Sequence, residues 1–304
     1  MRAARAVGSF FTALRSGGWT HHNGHHTVLV PESVPPVPPK IGLALGGGFA
    51  RGIAHVGVLE VLEQSGIPIH CITGVSAGSI AAAAYASGAT PEEIARAGCA
   101  MRFGDVARWT LCRTGFVVSE RMARFLVRLL KCCRFEEMRT PLGVLATDLA
   151  SGRPVAFHGA GDVVLPIRAS CSYPGLFQPV RYEEGLLVDG AMSMEIPAAL
   201  ARQLGATRVI SVHLPTPARE RAPGNVFEVV NRCFQILQTR TEDAWRRDSD
   251  LVISPDVSDI DWNGFGCGPR MIEAGRVAAL AALPQIQSWF PTPVRAVMPA
   301  RELA

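Results

Sequence analysis

Apolar and polar positions along this chain fall into blocks that switch between two periods. Residues 41–45 (Ile-Gly-Leu-Ala-Leu) are an unbroken apolar run, as a strand covered on both faces requires, and the glycines 46–48 that follow read as a turn. From Ala50 to Gln64 the spacing changes: Ile53, Val56, Leu59, Val61 and Leu62 recur as one face of a helix. A second short apolar run, Cys71-Ile72-Thr73, enters the segment Gly74-Val75-Ser76-Ala77-Gly78, and a small-residue helix follows from Ala77 to Ser87. Strand, helix, strand, helix predicts an α/β domain with a parallel sheet covered on its faces.

The same reading predicts further helices at Pro91–Met101, Ser119–Cys132, Pro197–Leu204, Val226–Arg246 and Pro269–Leu283. Strands are expected at Leu142–Thr147, Leu186–Val188, Arg208–Val212 and Leu251–Ile253, and no internal repeat is present. Residues 1–40 are expected to form a basic, Pro-rich tail and stiff linker, 41–283 the catalytic domain, and 284–304, with Pro291, Pro293 and Pro299, a second tail.

Composition narrows the class. With 304 residues, 48% hydrophobic and 18% charged, the chain has ample material for a buried core. No run reaches the roughly 18–20 uncharged apolar residues of a membrane span, and Val7–Leu14 is too short for one and lacks a convincing cleavage site. The eight cysteines show no Cys-x-x-Cys spacing, and several sit in apolar periodic segments, where a reduced thiol behaves as a small hydrophobe. A cytoplasmic protein, peripheral on the inner face of the membrane, is the expectation.

Candidate chemistry centres on Ser76. A serine between a strand and a helix, flanked by Gly74 and Gly78, has the form of a nucleophile elbow, in which the tight turn leaves no room for side chains two positions away. The glycine run Gly46-Gly47-Gly48 stands at the mouth of the first helix, where unhindered amides converge on an anion; Arg51, just beyond, is expected to lock that loop onto carbonyls. Such a loop also opens dinucleotide-binding folds. Around position 70, however, the chain offers His70, Cys71 and Thr73 in place of the acidic residue those folds need, and no phosphate-binding Gly-x-x-x-x-Gly-Lys pattern exists. A third element is Asp189, a carboxylate at the end of the apolar strand Leu186–Val188, followed by Gly190. An aspartate there either starts a turn or, raised in pKa by burial, serves as a base for a hydroxyl.

Taken in order, four segments resemble the patatin-like phospholipase family, especially its bacterial stand-alone members and the catalytic domain of neuropathy-target-esterase-type lysophospholipases. They are Gly42–Gly52 with His55–Leu59, then Gly74–Gly78, Ser170–Pro179 and Val188–Ala191. The resemblance spans about Ile41 to Leu283. It implies a three-layer α/β/α fold with a mostly parallel sheet, Ser76 as nucleophile, Asp189 as base, Gly46, Gly47 and Gly48 as oxyanion donors, and no metal or cofactor. One departure is visible: the family usually carries Asn-x-Pro soon after its aspartate, where this chain has Glu195-Ile196-Pro197.

Two alternatives stay in view. One is a Ser–Asp–His triad completed by His213, which follows both residues at a strand end; the other is a catalytically idle relative that binds acyl lipids. His55, among apolar neighbours, reads as structural, and His21, His22, His25 and His26 as incidental exposure in the tail rather than a metal site. Between Arg96 and Arg134 nine basic residues face only Asp105 and Glu120, with Phe103, Trp109, Phe116 and Phe125 interleaved. That stretch fits a helix with a solvated basic face, and beside a lipid-hydrolysing site it fits contact with an anionic membrane better than with nucleic acid. The expected substrate is a phospholipid or lysophospholipid.

Overall fold

A computed structural model of the chain describes residues 37–112, 114–215 and 222–291. From Pro38 onward the chain forms one compact unit. The tail and histidine group expected within residues 1–36 lie outside the described residues.

The apolar run Ile41–Leu45 is strand β1, and its alternate residues serve two different cores. Ile41, Leu43 and Leu45 pack into one cluster with Val58, Leu59 and Leu62 of helix α1 (Ala54–Gln64), whereas Ala44 joins a second with Ala198, Ala201 and Val209. A strand points successive side chains to opposite faces, so this sorting is what three layers require. A single 3-10 turn, Phe49–Ile53, precedes α1 where the sequence suggested a helix starting at Ala50.

Strand β2 (Ile69–Gly74) leads through the Ser76 turn into α2 (Ala77–Ala86). Helix α3 (Pro91–Ala100) starts with Thr90 and Glu93 in a reciprocal capping box and Pro91 in its first turn, the pattern that fixes a helix N-terminus. Short helix α4 (Phe103–Val106) leads into a hairpin, β3 (Arg108–Cys112) and β4 (Gly115–Val118), and then α5 (Glu120–Leu129). In α5, Met122 and Leu126 are buried while Arg124 and Arg128 are exposed. The helix stops three residues earlier than its pattern suggests, because Leu130 is extended.

The second half supplies β5 (Leu142–Asp148), β6 (Pro154–His158), α6 (Val164–Ser170), β7 (Val180–Tyr182) and β8 (Gly185–Asp189). Then come α7 (Ala198–Gln203), β9 (Arg208–Val212), α8 (Val226–Arg246), β10 (Leu251–Ile253) and α9 (Gly268–Gln287). Helix α9 continues through Pro284, past the expected domain end at 283. The main sheet runs β10-β9-β1-β2-β5-β8-β7 with β6 also on β5; β10, β9, β1, β2 and β5 are parallel, and the last strands antiparallel. This is the mixed α/β architecture with a mostly parallel sheet that the sequence predicts.

Helices α1 and α9 touch backbone to backbone. A Cβ added at Gly57 would lie 2.0 Å from the Ile272 carbonyl, and one at Gly275 2.0 Å from that of Ala54, so each helix admits the other only through glycine. Among the described residues no helix is long and apolar enough to cross a membrane.

Candidate active site

Strand β5 brings the two halves of the site into line. Gly74, the last residue of β2, pairs with Val144, and two residues further along β5 Ala146 pairs with Asp189, the last residue of β8. Two residues beyond Gly74 is Ser76. The antiparallel β8 therefore delivers its carboxylate at the level where the β2 chain delivers its hydroxyl, although 113 positions separate them.

Ser76 occupies φ 51°, ψ −128°, a strained backbone region for a residue with a side chain. Its surroundings hold it there. Ser76 N–H donates to Ser170 Oγ at 2.8 Å, and Ser170 Oγ donates onward to the Leu145 carbonyl of β5 at 2.6 Å. Ser79 Oγ donates to the Ser76 carbonyl at 2.6 Å. The flanking glycines answer a steric need: a Cβ at Gly78 would sit 2.4 Å from the Leu45 carbonyl, and one at Gly74 2.5 Å from that of Gly78.

Asp189 is 1% exposed. Burial pushes its carboxyl up to about 7, against the counter-pull of the Ala191 amide and the Ser76 hydroxyl. Oδ1 accepts from Ala191 N–H at 3.0 Å, while Oδ2 is buried with no hydrogen-bond partner among the described residues. The serine thus lies close enough to influence the carboxyl without closing an ordinary hydrogen bond to Oδ2. An acceptor of that kind, poised near neutrality, has the properties of a general base.

The glycine loop is divided in its roles. Gly46 N–H donates to the Val212 carbonyl at 3.1 Å, so this amide is committed to the sheet edge rather than to the cavity. Gly47 and Gly48 line the cavity, and a Cβ at Gly47 would stand 3.2 Å from Ser76 Cβ, which places this backbone directly against the serine. Gly46, one of the three glycines expected to donate, therefore has its amide turned to β9. Arg51 anchors the loop's far side, donating from Nη1 to the Pro215 carbonyl at 3.3 Å.

His55 has more to do than its apolar setting suggested. Nε2–H donates to the Gly46 carbonyl at 2.9 Å, and complete burial lowers its pKa to about 4, so it is a neutral, fixed tautomer beneath the loop. His213 is turned elsewhere: Nε2 lies 3.3 Å from Glu195 Oε1, and its ring packs 5.3 Å from that of Trp245. Trp245 Nε1–H donates to Glu195 Oε2 at 3.3 Å. The glutamate that stands in place of the family's asparagine therefore has two partners of its own, and the histidine is engaged with it.

Ser76 and Asp189 open into one cavity of about 350 Å³. Phe49, Tyr173 and Trp262 line it, with Phe49 edge-on to both of the others at centroid distances of 4.9 and 5.3 Å. Helix α8 closes the far side with polar groups, including Asn231, Gln235 and Gln238, and Asn231 Oδ1 accepts from the Tyr173 hydroxyl at 2.8 Å. Sequence reasoning did not single out Ser170 or this polar wall. Ser170 was within reach, since it opens one of the four motif segments; the wall was not, because α8 is remote in sequence from every motif.

The sequence model of patatin-like phospholipases matches residues 43–202, more than half of the chain. The chain belongs to this family. An uncharacterized NTE family protein of Mycobacterium tuberculosis is 30% identical over 201 residues, covering 64% of this chain and 55% of that protein. The lysophospholipase nte1 of Aspergillus fumigatus is 33% identical over 180 residues, 57% of this chain and 12% of the fungal protein. Among solved structures, VipD from Legionella pneumophila shares 13% identity, with a TM-score of 0.46 over 82% of this chain and 67% of that one. The chain spans about half the length of the mycobacterial relatives it matches. In this patatin-like protein the matched segment contains both Ser76 and Asp189, whereas α8 and Trp262, which complete the cavity, lie outside it.

Proposed function

We propose that this protein is a lipid acyl hydrolase that cleaves fatty acyl esters of phospholipids or lysophospholipids, with catalysis carried by residues 41–283. The observation that carries this reading is the buried Asp189 carboxyl, raised to about 7 beside a serine held on a strained elbow. Ser76 Oγ attacks the ester carbonyl and its proton passes to Asp189 Oδ2. The carbonyl oxygen becomes an oxyanion facing the Gly47 and Gly48 amides, donors of a type worth about 2.7–4 kcal/mol each in the transition state. Collapse expels the alcohol, which takes the proton back from Asp189 and leaves an acyl-serine. Water then attacks that ester, giving its proton to Asp189, and the second collapse returns the proton to Ser76 Oγ and releases the fatty acid.

Membership of the family supports the substrate class, and so does the cavity, whose aromatic side suits an acyl chain and whose α8 side suits a polar headgroup. Contact with an anionic membrane is part of the proposal, resting on the exposed arginines of α5. A fluorophosphonate probe tests the chemistry: the native chain is labelled at Ser76, and Ser76→Ala is not. Labelling that survives Ser76→Ala, or none in the native chain under conditions that label other serine esterases, rejects the dyad. Mass spectrometry of products from phospholipid, lysophospholipid and neutral glyceride panels then sets the substrate.

A further inference from the structure

Over residues 226–237 helix α8 is polar where it faces the cavity and carries an apolar stripe facing outward; beyond them its exposed residues include the polar Thr239, Arg240, Thr241, Asp243 and Arg246. Val226, Val229, Cys233, Ile236 and Leu237 fall on one stripe of the helix and all are exposed, Val226 by 79% and Leu237 by 55%. An ordinary surface helix has the opposite arrangement. The inner face is occupied by Asn231, Gln235 and Gln238 at the cavity and by Phe234, which packs edge-on against Tyr173 at 5.5 Å.

A second exposed apolar group lies on the hairpin β3–β4. Trp109 is 67% and Phe116 55% exposed. Both elements flank the same loop: Phe116 N–H donates to the Leu176 carbonyl at 3.0 Å, and the Gly175 position faces Val230 of α8 at 3.9 Å. Trp109 also connects inward through Phe103, at 6.0 Å, to Trp262 of the cavity wall, at 6.5 Å. After the hairpin, α5 presents Arg121, Arg124 and Arg128 along an open groove against α4, where Asp105 is the one acid in the lining, and Arg121 Nη1 donates to the Gly104 carbonyl at 2.8 Å.

We propose that the outer stripe of α8 and the tip pair Trp109 and Phe116 form one interfacial footprint around the cavity mouth, which seats in the headgroup layer of an anionic lipid bilayer while the α5 arginines contact its phosphates. The footprint's orientation rests on the hydrolase reading, since it turns the cavity toward a substrate that resides in that layer. Charge decides the occupant: a protein partner or second copy would account for an apolar stripe, but three arginines against the single groove carboxylate Asp105, beside an aromatic pair, fit an anionic surface with an apolar interior.

The test uses the full chain carrying Ser76→Ala, so that pelleting with vesicles is read without hydrolysis. It should pellet with phosphatidylcholine vesicles containing phosphatidylglycerol at low salt, and less with phosphatidylcholine alone or at high salt. Val229→Asp with Leu237→Asp, and separately Trp109→Ala with Phe116→Ala, each lower the bound fraction roughly tenfold, the equivalent of about one lost hydrophobic anchor. Val277→Asp, an equally exposed apolar position on α9, leaves binding unchanged. Circular dichroism melts confirm that each variant is folded. Pelleting that none of the footprint substitutions weakens, or that Val277→Asp weakens as much, overturns the footprint, and so does a change from dimer to monomer in the α8 variant. Placed instead in the chain that keeps its native Ser76, the footprint variants retain hydrolysis of a water-soluble short-chain ester. Absence of that hydrolysis in the native chain would count against the catalytic reading alone, because vesicle binding is measured independently.

Discussion

Asp189 is held in a protonation balance that folding makes unfavourable. Its carboxyl is near 3.8 when free and about 7 in the folded chain, so between those values the folded state binds the proton more tightly than the unfolded one. Stability therefore falls as pH rises through this window and stays reduced above it, by up to ~4 kcal/mol. Asp189→Asn removes the buried charge and should raise the Tm at pH 8 by roughly 5 °C while abolishing ester hydrolysis. Thermal melts at pH 5 and pH 8 check it: the gain appears at pH 8 and shrinks toward pH 5. On the proposed mechanism the same carboxylate must be ionised to accept the serine proton, so kcat/KM should climb to a plateau with an acid limb near 7. His55 contributes the opposite slope, since its folded value of about 4 lies below its free value of 6.5 and its stabilisation is lost as pH falls through that range. The two histidines near the site also separate by experiment. His213→Ala should keep most of the activity because its ring serves Glu195, whereas His55→Ala frees the Gly46 carbonyl and, by loosening the proposed oxyanion loop, should lower kcat at least tenfold. Equal losses in His213→Ala and Asp189→Asn would bring the triad back.

At the scale of elements, the helices and central strands follow closely from the hydrophobic pattern. Strands β1, β9 and β10 and helix α8 fall on the expected residues, because long periodic or continuous apolar runs leave few other readings. What the pattern did not disclose was short or two-sided. The hairpin β3–β4 places Trp109 and Phe116 outward, so its aromatic residues read as one more basic amphipathic stretch. Strand β6 is a sheet edge whose residues alternate only between exposed and half-buried, and β7 has three residues. Of the site, the serine, the aspartate and the glycine loop were legible as motifs; the commitment of Gly46 to Val212 and of Glu195 to Trp245 depends on tertiary contact and has no sequence signal. The α1–α9 contact is another such case. Gly275→Val should destabilise the protein by about 1–3 kcal/mol or more, since its side chain would enter the Ala54 carbonyl, and chemical denaturation should show a lower midpoint with little change in slope. An unchanged midpoint would mean that the two helices can separate without penalty.

For the whole molecule, the pairing pattern of β5 carries a consequence for folding. The hydroxyl and the carboxylate reach each other only when β2, β5 and β8 have all docked in their native alignment, and these pairings close loops of tens of residues. A slip of one residue between β5 and β8 would carry the Asp189 side chain to the opposite side of the sheet while leaving most backbone bonds intact. On the proposed dyad, hydrolytic activity is thus a gauge of strand alignment. During refolding from denaturant, fluorophosphonate reactivity should recover later than far-ultraviolet circular dichroism, since helices form before distant strands settle, and simultaneous recovery would argue against it. Chains halted with an off-register β8 would pass for native in a helix-content assay and be inert toward every ester, so a preparation's specific activity, more than its spectrum, measures how much of it has reached the working state.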